Sequence, residues 1–282
     1  MDRHDLTEQL HFLIKCLKAE MPEYAGYALP DDPKQAFDLY RALCNVRMPS
    51  GDTGHTLPDD FYTVQTEVLK SIIEEKGITE ATTLPLAKLD HRLSLWQGDI
   101  TTLQVDAIVN AANSQMLGCF SPLHGCIDNM IHTMAGVELR ETCYQIMKAQ
   151  GHEEETGSAK ITPAFNLPAR YVIHTVGPIV SGWLTGKDKE LLASCYRSVL
   201  SIASGHQLES VAFCCISTGV FHFPQDKAAE IAVRTVRGWL DAHPETSVRR
   251  VIFNVFKDSD RGIYRKILYP SETSTRTGQD QK

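Results

Sequence analysis

From Arg92 to Leu268 the chain alternates short β-branched and aromatic runs with longer stretches of helical period, and this alternation constrains its fold more than any other feature. The strand candidates are LSLWQ (93–97), DAIVNAA (106–112), AKITPAF (159–165), RYVIHTV (170–176), SVAFCCI (210–216) and RRVIFNVF (249–256). Between them lie helix candidates at Ile127–Ala135, Val137–Ala149, Lys187–Ser204 and Gln225–Ala242, with a short one near Arg261–Leu268. Strands interleaved with helices in this way predict an α/β fold, a three-layer α/β/α sandwich around a central mixed sheet.

Residues 1–90 have a different texture. Leu6, Leu10, Leu13, Ile14 and Leu17 repeat at helical spacing, as do Ala36, Leu39, Tyr40 and Leu43, and then Val64, Val68, Leu69 and Ile72. Turn-forming stretches (PEYAG, LPDDP, MPSGDTGH) separate the three sets. Helices this few and short bury too little surface to stand alone, so 1–90 is expected to be a helical N-terminal extension packed on a main domain at 91–268, with the boundary near Leu89. The polar tail, 269–282, lacks apolar periodicity and is expected to be disordered.

Composition excludes several classes. A net charge of −7 argues against a protein that grips nucleic acid by neutralising phosphates. It leaves room for a small anionic ligand, because helix N-termini bind phosphate without lysines. The opening MDRHDLTEQL has no apolar core of signal-peptide length, and no run approaches the ~20 apolar residues of a membrane span. No membrane association is expected, and the location is expected to be cytoplasmic. The eight cysteines then read as reduced thiols or metal ligands rather than as a disulfide framework.

Their spacing singles out CFSPLHGC. Cys119, His124 and Cys126 form a C-x4-H-x-C set on one loop, with the ligand types and short reach that zinc favours. Three ligands would leave one tetrahedral position open, as in catalytic sites. The plainer alternative is two buried thiols and a solvated histidine. Cys16, Cys44, Cys143, Cys195, Cys214 and Cys215 fit that plainer pattern, since they sit on apolar faces. A second signal is ISTGVFHFP (216–224), between a strand and the helix at Gln225. A small-residue turn at a helix N-terminus offers N–H groups and a positive dipole end, so Ser217, Thr218, Gly219, Val220 and Phe221 would cradle a pyrophosphate. An ordinary strand–helix connection would look the same in isolation.

Taken in order, QGDIT (97–101), DAIVNAANS (106–114), IHTMAG (131–136), GSAKITPAFNLPARYVIHTVGP (157–178) and ISTGVFHFP resemble the macrodomain family over roughly Leu93–Leu268. Gly118 followed by the Cys119–Cys126 loop stands where common macrodomains carry a run of glycines. That insertion, with the helical extension, resembles a zinc-dependent microbial subclass. The resemblance implies a macrodomain fold and ADP-ribose as ligand. It implies that Asp99, with Ile100 beside it, accepts a hydrogen bond from the adenine amine, although alone Asp99 reads as a turn or N-cap residue. Asn113 would hold the distal ribose, and Asp128, in CIDNMIH, would be the aspartate associated with catalysis, orienting or activating water or holding a ribose hydroxyl. Each has a structural alternative, a left-handed turn for Asn113 and a helix cap for Asp128. Phe221 resembles an aromatic that packs on the distal ribose, and could equally be core. His132 is expected to pack or anchor its helix, and His222 stands where many macrodomains have a glycine.

The activity so implied is zinc-dependent hydrolysis of mono-ADP-ribose from modified proteins, cutting at C1 of the distal ribose. In related microbes such proteins are associated with a sirtuin-type ADP-ribosyltransferase and a lipoyl-carrier protein. Two other readings stay open: a non-catalytic ADP-ribose reader, and a hydrolase of a small ADP-ribose derivative.

Overall fold

The computed structural model describes residues 3–270, so most of the expected disordered tail (269–282) lies outside the described residues. In chain order the elements are helices α1 (Arg3–Glu20), α2 (Pro33–Val46), the single turn α3 (Ser50–Thr53) and α4 (Asp59–Lys76), then strands β1 (Thr79–Glu80), β2 (Leu93–Gln97), β3 (Leu103–Gln104) and β4 (Ala107–Ala112). Helices α5 (Ile127–Ala135) and α6 (Val137–Gln150) follow, then β5 (Ala159–Pro163), β6 (Tyr171–Val176), α7 (Gly186–Gly205), β7 (Ser210–Phe213), α8 (Gln225–Ala242), β8 (Arg250–Val255) and α9 (Asp258–Leu268).

The main sheet runs β2-β8-β7-β4-β6-β5. Every neighbouring pair is parallel except antiparallel β5–β6. This is the mixed sheet that the strand pattern predicts. Central β4 is apolar on both faces except at Asn110, as befits a parallel strand covered on both sides. Helices α7, α8 and α9 pack in succession, α7 on β5 and β6 and α9 on β2 and β8, whereas α5 contacts β4 and α6 contacts β5.

The N-terminal helices add to this core. Leu10, Leu13, Ile14 and Leu17 of α1 are fully buried, and one hydrophobic cluster runs from Leu10 to Leu268. The expected helices form where the periodicity puts them. Asp32 caps α2 by accepting from the Gln35 N–H at 3.0 Å, with Pro33 in the first turn. The MPSGDTGH stretch is not wholly turn, because it holds α3, closed by Gly54 at φ 72.

The join is tighter than a bare linker. β1 pairs in parallel with β3, Leu86 bridges Ser94, and the Leu89 N–H donates to Leu268 O at 3.0 Å. None of these pairings carries a period long enough to read from sequence.

Candidate active site

Parallel strands aim their carboxyl ends the same way, and an open α/β sheet binds ligands beyond those ends, where the strand order reverses. Here the chain passes from β4 out to the edge strand β5 and back to β6, then crosses to the other side of β4 to lay down β7 and β8. The reversal therefore falls between β4 and β7. The loop after β4 holds Asn113 to Cys126, and the loop after β7 holds Ser217 to Phe221. Asp99 follows β2, two strands beyond β7.

Asp99 caps the short turn Ile100–Thr102. Its Oδ1 accepts from Thr101 N at 3.0 Å and Thr101 Oγ1 at 2.6 Å, and Lys76 of α4 donates to Oδ2 at 2.9 Å. Burial pushes this carboxyl up, but the Thr101 hydrogen bonds and the Lys76 ammonium outweigh it, so it sits below the usual carboxylate range. Capping and ligand contact are compatible, since each carboxylate oxygen has two lone pairs. Phe256, which follows β8, is 76% exposed, and its carbonyl accepts from Gln97 Nε2 at 3.1 Å, which places it beside this turn. A bare aromatic ring there can stack on a flat ligand. Sequence reasoning missed it because a phenylalanine at a strand end reads as core.

The loop after β7 is shaped by backbone. Ser217 and His222 adopt left-handed φ of 64° and 56°. The turn closes through Phe223 N to Ser217 O at 3.0 Å and His222 N to Gly219 O at 3.1 Å. Left-handed geometry favours glycine at such a position, and histidine is one of the side chains that tolerate it. Ser217 is buried with its Oγ unpartnered, and a Cβ on Gly177 would come within 2.1 Å of that oxygen. Gly219 and Val220 are exposed, Val220 by 61%. Val180 N donates to Phe221 O at 2.9 Å, which ties this loop to the one after β6.

The loop after β4 begins with an Asx turn, in which Asn113 Oδ1 accepts from Gln115 N and Met116 N, both at 3.1 Å. Asn113 Nδ2 donates to Gly118 O at 3.1 Å. Gly118 has φ 80, and a Cβ there would meet the His132 ring at 2.9 Å, so this surviving glycine is required by both conformation and space. Beyond it Cys119 Sγ lies 3.6 Å from His124 Nδ1, and one ligand atom each of Cys119, His124 and Cys126 lies within 4.8 Å of the other two. Zinc bonds of about 2.3 Å to sulfur and 2.0 Å to nitrogen at a tetrahedral angle put S and N about 3.6 Å apart, so this donor pair is already at the right spacing.

Cys126 caps α5, its Sγ accepting from Asn129 N at 3.4 Å. Burial, with Cys119 and Asp128 adding to it, pushes this thiol up to about 12 despite the Asn129 N–H. A cation in place of the proton would relieve that cost.

Asp128 is not the cap. It is 5% exposed, and Asn110 Nδ2 donates to its Oδ1 at 2.7 Å. Burial raises its carboxyl to about 6, against the Asn110 hydrogen bond and the Arg140 charge. The sheet register explains the neighbourhood: Asn110 pairs with His174 across β4 and β6, and Asn110 Nδ2 is 3.1 Å from His174 Nδ1. His174 Nδ1 then accepts, leaving Nε2 to donate to Thr162 Oγ1 at 3.0 Å. His132 Nε2 lies 3.5 Å from Asp128 Oδ1.

His132, Cys143 and His174 form a second, wholly buried group whose ligand atoms lie within 4.8 Å, and it too could hold a metal. Cys143 and His132 read from sequence only as a buried thiol and a helix anchor. No sequence spacing announces this trio, because its members come from three elements.

The Macro domain family pattern matches residues 109–232. A protein of Treponema medium named protein-ADP-ribose hydrolase is 51% identical over 263 residues, 93% of this chain and 98% of its own. A Staphylococcus aureus protein of the same name is 46% identical over 261 residues, 92% of this chain and 95% of its own. Among solved structures, a Trypanosoma brucei macrodomain in complex with ADP-ribose is 30% identical, covering 76% of this chain and 91% of its own with a TM-score of 0.61. No described helix is long and apolar enough to cross a membrane. With its strand order, its loops and relatives that match along almost their whole length, the chain belongs to the macrodomain family.

Proposed function

We propose that this protein is a zinc-dependent hydrolase that releases mono-ADP-ribose from modified proteins by cleaving the bond at C1 of the distal ribose. The observation that carries the proposal is the Cys119, His124 and Cys126 donor set, which stands on the loop after β4 beside the point where the strand order reverses. Names and bound ligands of relatives support the substrate class.

An extended ligand would run along the strand ends. Adenine lies at β2 and β8, its amine donating to Asp99 beside Ile100, its ring on Phe256. Ser217, Thr218, Gly219, Val220 and Phe221 hold the pyrophosphate with backbone N–H groups, one strand further on. The distal ribose then reaches the loop after β4, three strand spacings or about 14–15 Å from β2, where Asn113 fixes its hydroxyls. Cys119, His124 and Cys126 would hold the zinc, which when bound would supply Lewis acidity toward a ribose hydroxyl, the leaving group or water. Asp128 orients the attacking water or a ribose hydroxyl as positive charge develops at C1.

Within this proposal residues 1–90 are an extension of the 91–268 domain, the substrate protein is of the lipoyl-carrier kind implied by the family, and a cytosolic setting keeps the thiols reduced. The test is free ADP-ribose release from an ADP-ribosylated protein, with and without a chelator. Chelator-sensitive release is expected. Tight ADP-ribose binding without release would make the protein a reader, and release only from small derivatives would move its substrate.

A further inference from the structure

The N-terminal extension grips the loop that carries the three donors. Arg41 of α2 donates through Nε and Nη2 to Asn129 Oδ1, at 3.0 and 2.8 Å, and Nη2 also donates to His124 O at 2.7 Å. Asn129, fully buried, is thereby oriented, because a guanidinium only donates and must face the amide oxygen. Its Nδ2 is then free to donate to Ser121 O at 3.0 Å, and its N–H meets Cys126 Sγ. One arginine therefore touches the backbone of one donor residue and, through one asparagine, the sulfur of another. Two further ties run between the same elements. Asn45 Oδ1 accepts from Leu123 N at 3.0 Å, and buried Arg140 joins Leu117 O in the loop to the carbonyls of Cys44, Asn45 and Arg47 that end α2.

We infer that Arg41 is a positioning residue for the metal centre, and that α2 holds the Cys119–Cys126 loop in its metal-binding conformation. The inference rests on the zinc reading above. A loop of this length, with Gly118 at one end and Gly125 near the other, has many conformations to lose. Hydrogen bonds from α2 that fix His124, and Cys126 through Asn129, remove that freedom before the metal arrives. Loss of such an outer contact typically costs metal affinity about 10–100-fold.

The test compares melting temperatures of the full chain, zinc-loaded and metal-free, with zinc release to a colorimetric chelator. In Arg41→Met the zinc-dependent rise in melting temperature should shrink, with zinc affinity about 10–100-fold weaker. Arg41→Lys should fall between, since one ammonium lacks the planar fork that spans Asn129 Oδ1 and His124 O, and it carries the test if Arg41→Met does not fold. Arg250→Lys serves as the control. It loosens the N-terminal segment at Ala81 and Leu84, away from α2 and the donors, and should lower both melting temperatures together. An Arg41→Lys protein with the wild-type zinc-dependent rise would overturn the inference, and so would an Arg250→Lys protein that loses as much of it. Wild type with no zinc-dependent rise would remove the zinc reading itself, and the inference with it.

Discussion

The two ends of the proposed ligand track are built by different means. At the β2 end, Asp99 is fixed largely by its own neighbours, with Thr101 two residues on supplying both an N–H and a hydroxyl. At the β4 end, the donor loop is fixed by residues 78 to 88 positions earlier in the chain, through Asn45 and Arg41. A locally built site can bind as soon as its turn forms. A site built by distant parts of the chain depends on the packing of α2 against α5, so its chemistry and the fold of the extension are coupled. The substitutions with the largest expected effects should accordingly fall at the β4 end.

Cys126→Ala should produce the largest change. Wild type should co-purify with about one zinc per chain, and the variant with none, because removing one of three protein ligands leaves too few for a stable site. Turnover should fall by at least about 10²-fold, since the metal supplies several kcal/mol of charge stabilisation. Metal analysis beside a release assay measures both. A metal-free wild type with full activity would erase the difference between the two ends.

Next come Asp128→Asn and Asn113→Ala. Each should lose hydrolysis by a larger factor than it loses ADP-ribose affinity, roughly 10²–10⁴-fold in rate for Asp128, because contacts that strengthen in the transition state show in rate rather than in binding. Single-turnover release alongside product affinity separates the two. Near-normal turnover in Asp128→Asn would confine Asp128 to its buried bond with Asn110.

Gly118→Ala should destabilise the protein by about 1–3 kcal/mol, through its left-handed backbone and the contact with His132. Thermal unfolding reads this directly. An unchanged melting temperature would mean that the donor loop moves freely over α5.

The same contrast explains what was legible in the sequence. The strands and helices of 91–268 carry their periods openly, and Ile127–Ala135 and Gln225–Ala242 form with the expected bounds. The trio at Cys119, His124 and Cys126 was legible because its members share one loop, and short spacing survives folding. The buried group of His132, Cys143 and His174 was not, since register between β4 and β6 and the packing of α5 on α6 bring its members together. The contacts of Arg41 and Lys76 were hidden for the same reason. A charged residue on a helix reads as solvated surface until its partner, far along the chain, is known. The β1–β3 pairing was lost to brevity, as two residues have no measurable period.

The smallest effects belong to the β2 end, where they test whether Asp99, held mainly by its own turn, can dispense with its ion pair to Lys76. Asp99→Ala should weaken ADP-ribose binding by roughly 1–3 kcal/mol, the scale of a charge-assisted hydrogen bond in a partly buried site. Lys76→Met should cost far less, a few tenths to about 1 kcal/mol, because this ion pair is about one-third exposed on both sides and water screens it. The pH dependence sharpens the point. With its carboxyl held below the usual range, Asp99 is ionised throughout neutral and mildly acidic conditions, so wild-type affinity should stay level and fall only as the pH drops below the ordinary carboxylate range. Removing Lys76 leaves the Thr101 hydrogen bonds in place but lifts the carboxyl back toward its ordinary value, so the fall should begin at higher pH. Calorimetry across that range measures both variants. A Lys76→Met loss as large as that of Asp99→Ala would show that the adenine end, too, is assembled by the extension.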